Sequence, residues 1–340
     1  MPASVASGEE DEQDIQSGHI DVDELQTHGI SVADIGKLKG ADLNTVGMVL
    51  ATHTKKLLNI KGFSDVKVEK IKEACRKATP PEQNGMITCT ELLQRRRTCF
   101  KIRTGSDNWN KILGGGFESR SVSEVYGEFR CGKTQLFHTM SVTAQLPREE
   151  GGAAGKVIVI DTEGTFRPER LIAIAERFKM DPETVVDNVL YQRARNSEHQ
   201  HEILCGMTAD LATGQYRLIM VDSILNLFRG DYQGRGELNE RQQKLGVHLR
   251  KLVEVAEEFN IAVVMSNQVQ SDPGAAMFAG MDGRKPVGGH VMAHASTTRV
   301  LLRKGRGDER VAKVMDSPDC PEAEATYIIT NGGINDADKA

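Results

Sequence analysis

The octapeptide Gly127-Glu128-Phe129-Arg130-Cys131-Gly132-Lys133-Thr134 stands between a β-rich run ending at Tyr126 and a helical run from Gln135 to Leu146. It fits G-x-x-x-x-G-K-[ST] in the strand-then-helix context that a phosphate-binding loop requires. The glycines let backbone N–H groups wrap anionic oxygens, and the start of the following helix favours negative charge. Lys133 is then placed to bridge the outer phosphates of ATP, and the Thr134 hydroxyl to hold Mg²⁺. A loop of this kind needs a strand feeding it and a helix leaving it, which commits the chain to an α/β fold.

Short β-rich runs alternating with helical stretches extend that reading beyond Thr88. They predict strands at Ser121–Tyr126, Lys156–Asp161, Asn188–Gln192, Tyr216–Asp222, Ile261–Asn267, Thr297–Arg303, Val311–Met315 and Thr326–Thr330. Their alternation with helical stretches argues a buried, largely parallel sheet, and the last three lack intervening helices, which predicts an antiparallel extension. Leu238, Leu245, Leu249, Leu252, Ala256 and Phe259 recur at helical spacing and predict a long helix facing the core. The expected domains are a disordered acidic arm (1–20), a helical domain (21–78), a linker (79–98) and the α/β core (99–340). Within the helical domain, the turn Ile60-Lys61-Gly62-Phe63 and a helix capped by Ser64 are compatible with a helix-hairpin-helix, which contacts duplex phosphates or docks a protein.

The formal charge of −5, from 43 Lys+Arg and 48 Asp+Glu, argues against a nucleic-acid partner only while it is read as an average. Residues 1–36 carry nine acidic residues and no Lys or Arg, leaving +4 elsewhere. Ten basic residues face four acidic ones between Lys37 and Lys77, and six face two between Arg299 and Lys313. The sequence lacks an apolar run of membrane length and a signal-peptide pattern, so an intracellular protein with no membrane partner is expected. Six scattered cysteines without a C-x-x-C pair indicate neither a zinc site nor a disulfide framework.

Three further groups point toward the phosphate loop. Leu218-Ile-Met-Val-Asp222 delivers a carboxylate to the end of a strand, where it can complete a magnesium shell. Glu163, just past the strand Lys156–Asp161, can polarise an attacking water or serve only as a loop carboxylate. Gln268 follows another strand end and can sense a terminal phosphate or merely form a turn. Two glycine-rich loops leave the same sheet edge. The first, Phe228–Gly236, combines Arg229, Tyr232 and Arg235, residues suited to phosphate contact and base stacking. The second, Val269–Gly289, carries Pro273, Gly274, Gly288 and Gly289 and is long enough to imply a function.

On the segments GEFRCGKTQ, DTEGTFRPERL, GRGELNERQQKL, NQV, VGGH, AHASTTR, LRKGRG and DSP, the chain resembles the eukaryotic RecA-family strand-exchange recombinases from about Val22 to Ala337. RQQKL, Asp272-Pro273-Gly274 and Gly-Gly-His290 look more like the meiosis-specific branch, whereas DTEGTF and AAMF lean toward the general-purpose one. The resemblance implies a RecA-like ATPase core, a DNA-stimulated ATPase, filaments on single-stranded DNA, and exchange with double-stranded DNA without sequence-specific reading. It implies a nuclear protein, a homo-oligomer in ring or filament form, and recombination mediators as partners. It assigns Arg229, Tyr232, Arg235, Arg241, Arg310 and the second loop to DNA. Nucleotide contacts extend to Gln135, and Asp316-Ser317-Pro318 of one subunit cap the nucleotide of the next, with His294 near that junction. Glu163, Lys133 and Gln268 become the catalytic group.

Two departures accompany the resemblance. Where the family has a Phe-x-x-Ala docking segment for oligomer assembly, this chain has Met86-Ile-Thr-Cys89, which still offers an apolar and a small side chain. Cys131 replaces the usual threonine, and a thiol beside a helix N-terminus is expected to have a lowered pKa and oxidant sensitivity. The alternatives are a non-catalytic recombination mediator of the same fold, a general mitotic recombinase, and a hexameric RecA-core helicase.

Overall fold

Apolar runs that cannot face water on either side belong at the centre of a sheet covered on both faces. The computed structural model, which describes residues 18–80, 85–234, 236–271 and 284–337, places them there. The chain divides into two compact units: residues up to Cys99 with the short segments Ala209–Gly214 and Glu258–Asn260, and the remainder from Phe100 onward.

The first unit is helical, with α1 (Val32–Lys39), α2 (Val46–Ala51), α3 (Thr54–Leu58), α4 (Asp65–Ala78) and α5 (Cys89–Arg96). Ser31, Thr45, Ser64 and Thr88 each accept a backbone N–H at a helix start, satisfying donors that the helix leaves unpaired. Leu25, Leu38, Val49, Leu57, Val68 and Ile71 form the buried interior. Between α3 and α4 the turn relies on Gly62, whose φ of +87° is costly for residues with a Cβ. Beside it, the Lys37 and Lys67 ammonium groups stand 5.8 and 5.9 Å from the Phe63 ring centroid.

From Lys101 the elements run β1 (Lys101–Ile102), α6 (Asp107–Ile112), β2 (Phe117–Glu118), β3 (Ser121–Gly127), α7 (Lys133–Thr143), β4 (Lys156–Asp161), α8 (Glu169–Arg177), α9 (Pro182–Asp187), β5 (Val189–Arg193) and α10 (Ser197–Gly206). They continue as α11 (Thr208–Leu211), β6 (Tyr216–Asp222), α12 (Asn226–Asp231), α13 (Leu238–Glu258), β7 (Ala262–Asn267), β8 (Val269–Ser271), β9 (Arg284–Pro286), α14 (Gly289–Ala295), β10 (Thr298–Lys304), β11 (Arg310–Asp316), β12 (Glu324–Thr330) and β13 (Gly333–Asp336).

The main sheet has the order β13-β12-β11-β10-β3-β7-β6-β4-β5. Pairing is parallel from β10 through β5 and antiparallel from β10 to β13, matching the expected parallel centre and antiparallel extension. Val157, Val159, Leu218, Met220 and Val264 pack on one face with Phe137 and Ile174, and the alternating Ile158, Ile160, Ile219, Val221 and Val263 are also buried. Because β3, β7, β6 and β4 are parallel neighbours, their carboxyl ends share one edge, where such sheets bind ligands.

Three details differ from the expectations. Leu238 is 53% exposed, and the buried stripe of α13 begins at Leu245. The first glycine-rich loop is helical in its first half, where α12 buries Phe228. Finally, β13 carries one large apolar residue, Ile334, too few to mark a strand; Arg177 holds it by donating to the carbonyls of Gly332 (2.9 Å) and Ile334 (2.6 Å).

Candidate nucleotide-binding site

The phosphate loop closes through left-handed backbone at Arg130 (φ +66°) and Gly132 (φ +96°), which turns successive N–H groups toward a concavity ahead of α7. Lys133 Nζ lies within this loop, donating to the carbonyls of Gly127 and Glu128 at 2.9 Å each. Burial lowers its pKa, with nearby acidic groups opposing the shift. From below, the buried Tyr327 hydroxyl donates to the Cys131 carbonyl at 2.6 Å, tying the loop to β12.

Cys131 itself corrects an expectation. Its side chain is fully buried among core residues and does not line the cleft, so only its backbone belongs to the loop. Burial pushes the thiol pKa up, outweighing the lowering effect of Lys133, so a lowered pKa and oxidant sensitivity do not follow. In native protein, iodoacetamide should therefore modify exposed Cys89 well before Cys131, as read by peptide mass spectrometry. Faster labelling at Cys131 would contradict the buried geometry.

Asp222, at the end of β6, accepts from Thr134 Oγ1 at 2.7 Å and from Ser266 Oγ. Burial raises its pKa against these two hydrogen bonds, and the charges of Glu163 and Asp161 push in the same direction as burial. A carboxylate held this way beside a hydroxyl suits a divalent cation. Mg²⁺ needs few protein ligands because waters and substrate phosphates complete its shell. This accommodates the finding that, among the described residues, no group of three His, Cys, Asp or Glu side chains forms a metal site.

Glu163 and Asp161 divide the roles left open for one carboxylate. Asp161 shapes the loop after β4, accepting the N–H groups of Glu163 (2.8 Å), Gly164 (2.6 Å) and Phe166 (3.1 Å). Glu163 instead lines the cleft, where its Oε1 accepts from Ser223 Oγ at 3.0 Å and Gln268 Nε2 at 3.1 Å. Behind the loop, the N–H of Arg167 donates to Nε2 of His138 on α7 at 2.8 Å. Burial lowers the pKa of His138 to about 4, so the ring stays neutral near pH 7.

The resulting cleft has a volume of about 840 Å³ and is lined by Gly127, Glu128, Phe129, Arg130, Gly132, Lys133, Thr134, Gln135, Glu163, Asp222 and Gln268. Thr165, Val269, Lys304 and Ile329 also line it and were given no role from the sequence, although Thr165, Val269 and Lys304 lie in the quoted segments DTEGTFRPERL, NQV and LRKGRG. Gln135 Oε1 accepts from Arg170 at 3.2 Å. Ser223 was also missed; its signal was simply its place after Asp222.

Other predicted residues lie elsewhere. Asp316 ends β11, and Ser317 and Pro318 follow it, away from this chain's cleft lining. Arg310 Nε lies 3.5 Å from the Arg130 carbonyl, beside the phosphate loop. Arg229 is exposed on α12, Arg241 sits in the first turn of α13, and Tyr232 lines a second cleft of about 1000 Å³ with Ser197, Phe228 and Lys244. Gly288 and Gly289 lead into α14, with exposed His294 in its last turn. Met86 and Cys89 are exposed, and α5 buries no side chain. Arg235, Pro273 and Gly274, like residues 1–17, lie outside the described residues. Among the described residues, no helix is long and apolar enough to cross a membrane.

The Rad51 family model matches residues 95–337. The chain is 57% identical to the meiotic recombination protein DMC1 of Saccharomyces cerevisiae over 332 residues, covering 97% of this chain and 98% of that protein. It is 55% identical to the meiotic recombination protein DLH1 of Candida albicans, covering 95% and 99% of the two chains. It is 53% identical to the human meiotic recombination protein DMC1/LIM15 homolog, with 93% of each chain covered. With the phosphate loop, its strand-end carboxylates and most of the chain's length accounted for together, the chain belongs to the Rad51 family.

Proposed function

We propose that this chain is a meiotic strand-exchange recombinase whose ATPase is switched on by DNA. The observation that carries the reading is the convergence of Lys133, Thr134, Asp222 and Glu163 on one cleft, with Gln268 joining that cleft to the β8–β9 hairpin. The similarity to meiotic recombination proteins over nearly the whole length supports the biological role.

In this reading the loop N–H groups and Lys133 bind the phosphates of ATP, and Thr134 and Asp222 hold Mg²⁺. Held there, the ion would supply positive charge to offset that developing on the outer phosphates. Glu163 orients the attacking water and accepts its proton, while Ser223 holds the carboxylate in place. Gln268 changes partners between Glu163 and the outer phosphate, which alters the hairpin and hence the grip on DNA. Arg229, Tyr232, Arg235, Arg241, Arg310 and the segment carrying Pro273, Gly274, Gly288 and Gly289 supply that grip. Sequence specificity comes from pairing between strands rather than from base reading by side chains.

The same reading makes Met86 and Cys89 the docking segment for the next subunit, with Asp316-Ser317-Pro318 and His294 at the shared nucleotide. It makes the helical residues 21–78 a duplex or assembly module, and residues 1–20 an acidic arm in the nucleus-resident protein. Recombination mediators assist loading.

Electron microscopy with single-stranded DNA, Mg²⁺ and a slowly hydrolysed ATP analogue should show helical filaments. Rings alone under all nucleotide conditions would refute the filament. A joint-molecule assay with purified protein separates a recombinase from a mediator, because only the former pairs homologous strands unaided.

A further inference from the structure

Glu124 is fully buried in the middle of β3, flanked in sequence by apolar and small residues. Its Oε2 accepts from Arg299 Nε of β10 at 2.8 Å, and the two residues are register partners across the parallel strands. Its Oε1 accepts from Asn267 Nδ2 at 2.6 Å. Stability alone is a weak reason for such a pair, since apolar residues of similar volume commonly stabilise a core as well or better. An apolar pair, however, cannot orient an amide.

That amide sits at a junction. Asn267 Nδ2 also donates to the Val287 carbonyl at 2.7 Å, and its Oδ1 accepts the Gln268 N–H at 2.8 Å. The Gln268 carbonyl in turn accepts the Val287 N–H at 3.0 Å. Gln268 is therefore fixed through both of its backbone polar groups, and one of the fixing residues lies beyond β9, on the return side of the hairpin formed by β8 and β9. The Gln268 side chain alone turns into the cleft, to Glu163.

We propose that the ion pair of buried Glu124 with half-buried Arg299, acting through Asn267, is a positioning device that locks the Gln268 backbone to both ends of the β8–β9 hairpin. A change met by the Gln268 side chain in the cleft then moves the hairpin instead of dissipating in a loose strand end. The inference rests on the reading of the cleft as a DNA-stimulated ATP site and adds the residues that make its coupling stiff. Glu124, Arg299 and Asn267 do not line the cleft, so they act on coupling rather than on nucleotide binding.

Two variants test this in the full-length chain. Asn267→Asp keeps an acceptor for the Gln268 N–H but sets a second carboxylate against Glu124 and removes the donor to Val287. The double variant Glu124→Leu/Arg299→Met replaces the ion pair by apolar groups and leaves Asn267 without its anchor, guarding against loss of fold from an unpaired buried charge. In both, the DNA-free ATPase rate should stay within about twofold of the parent and the KM for ATP within about threefold, while the single-strand-stimulated kcat falls at least tenfold. Arg299→Lys, which keeps the charge, should fall between. A smaller loss of the stimulated kcat, or a parallel loss of both rates, overturns the proposal. Absence of DNA stimulation in the parent protein would instead overturn the functional reading on which it rests.

Discussion

Glu163→Gln should slow DNA-stimulated ATP hydrolysis by 10²-fold or more while leaving nucleotide affinity within a few-fold. The amide has the size of the carboxylate and can still accept from Ser223, so the cleft keeps its shape. It cannot take a proton from water, and general-base assistance contributes roughly 10² to 10⁴ in rate. A loss of 10² corresponds to about 2.7 kcal/mol of barrier. Removing the Glu163 charge also removes one of the influences that raise the pKa of Asp222, so metal binding should not suffer. Single-turnover phosphate release alongside titration with a fluorescent nucleotide separates the two effects. A rate within fivefold of the parent would remove Glu163 from the chemistry. Protein that binds ATP but retains it should also stay on single-stranded DNA longer.

Beyond the phosphate-loop motif itself, the parts of this site that could be read in the sequence share one property: each is a polar group at or shortly past the end of an apolar run. Asp222 follows Leu218-Ile-Met-Val, Asp161 and Glu163 follow Val157-Ile-Val-Ile, and Gln268 follows Val263-Val-Met-Ser-Asn. In a parallel sheet every such group emerges on the same edge, so local pattern was enough to gather them before the strand order was known. What local pattern could not give is lateral pairing. Glu124 meets Arg299 because β3 pairs with β10, and Tyr327 supports the Cys131 carbonyl because β12 passes beneath the phosphate loop; both depend on strand order. The Cys131 thiol was misread for a related reason. Proximity to a helix N-terminus is visible in sequence, but the direction of the side chain follows from the left-handed turn at Arg130 and Gly132, and it carries the thiol into the core.

Gly127→Ala should cost about 3 kcal/mol of stability and most of the nucleotide affinity, although only one methyl group is added. In the sequence Gly127 opens a phosphate loop, where glycine serves close approach to the ligand. The folded chain gives it a second duty: a Cβ at this position would stand 2.3 Å from the Leu302 carbonyl oxygen and 3.1 Å from its carbon. That obstacle is backbone of β10, the parallel partner of β3, so no flexible side chain can swing aside. Relief requires β3 and β10 to part where the phosphate loop begins, disturbing the carbonyls of Gly127 and Glu128 that position Lys133. Overpacking typically costs about 1–3 kcal/mol, and backbone contact places this case at the upper end. For a unit of this size that amounts to a fall in Tm of roughly 6–12 °C. Gly36→Ala is the contrasting substitution: Gly36 lies inside α1, nothing stands within 4 Å of its Cβ position, and alanine there should stabilise by up to about 1 kcal/mol. Thermal melts of both variants, with nucleotide titration of the first, check the difference. Unchanged Tm and nucleotide affinity in Gly127→Ala would mean that the β3–β10 seam can open at no cost, and that the phosphate loop does not depend on it.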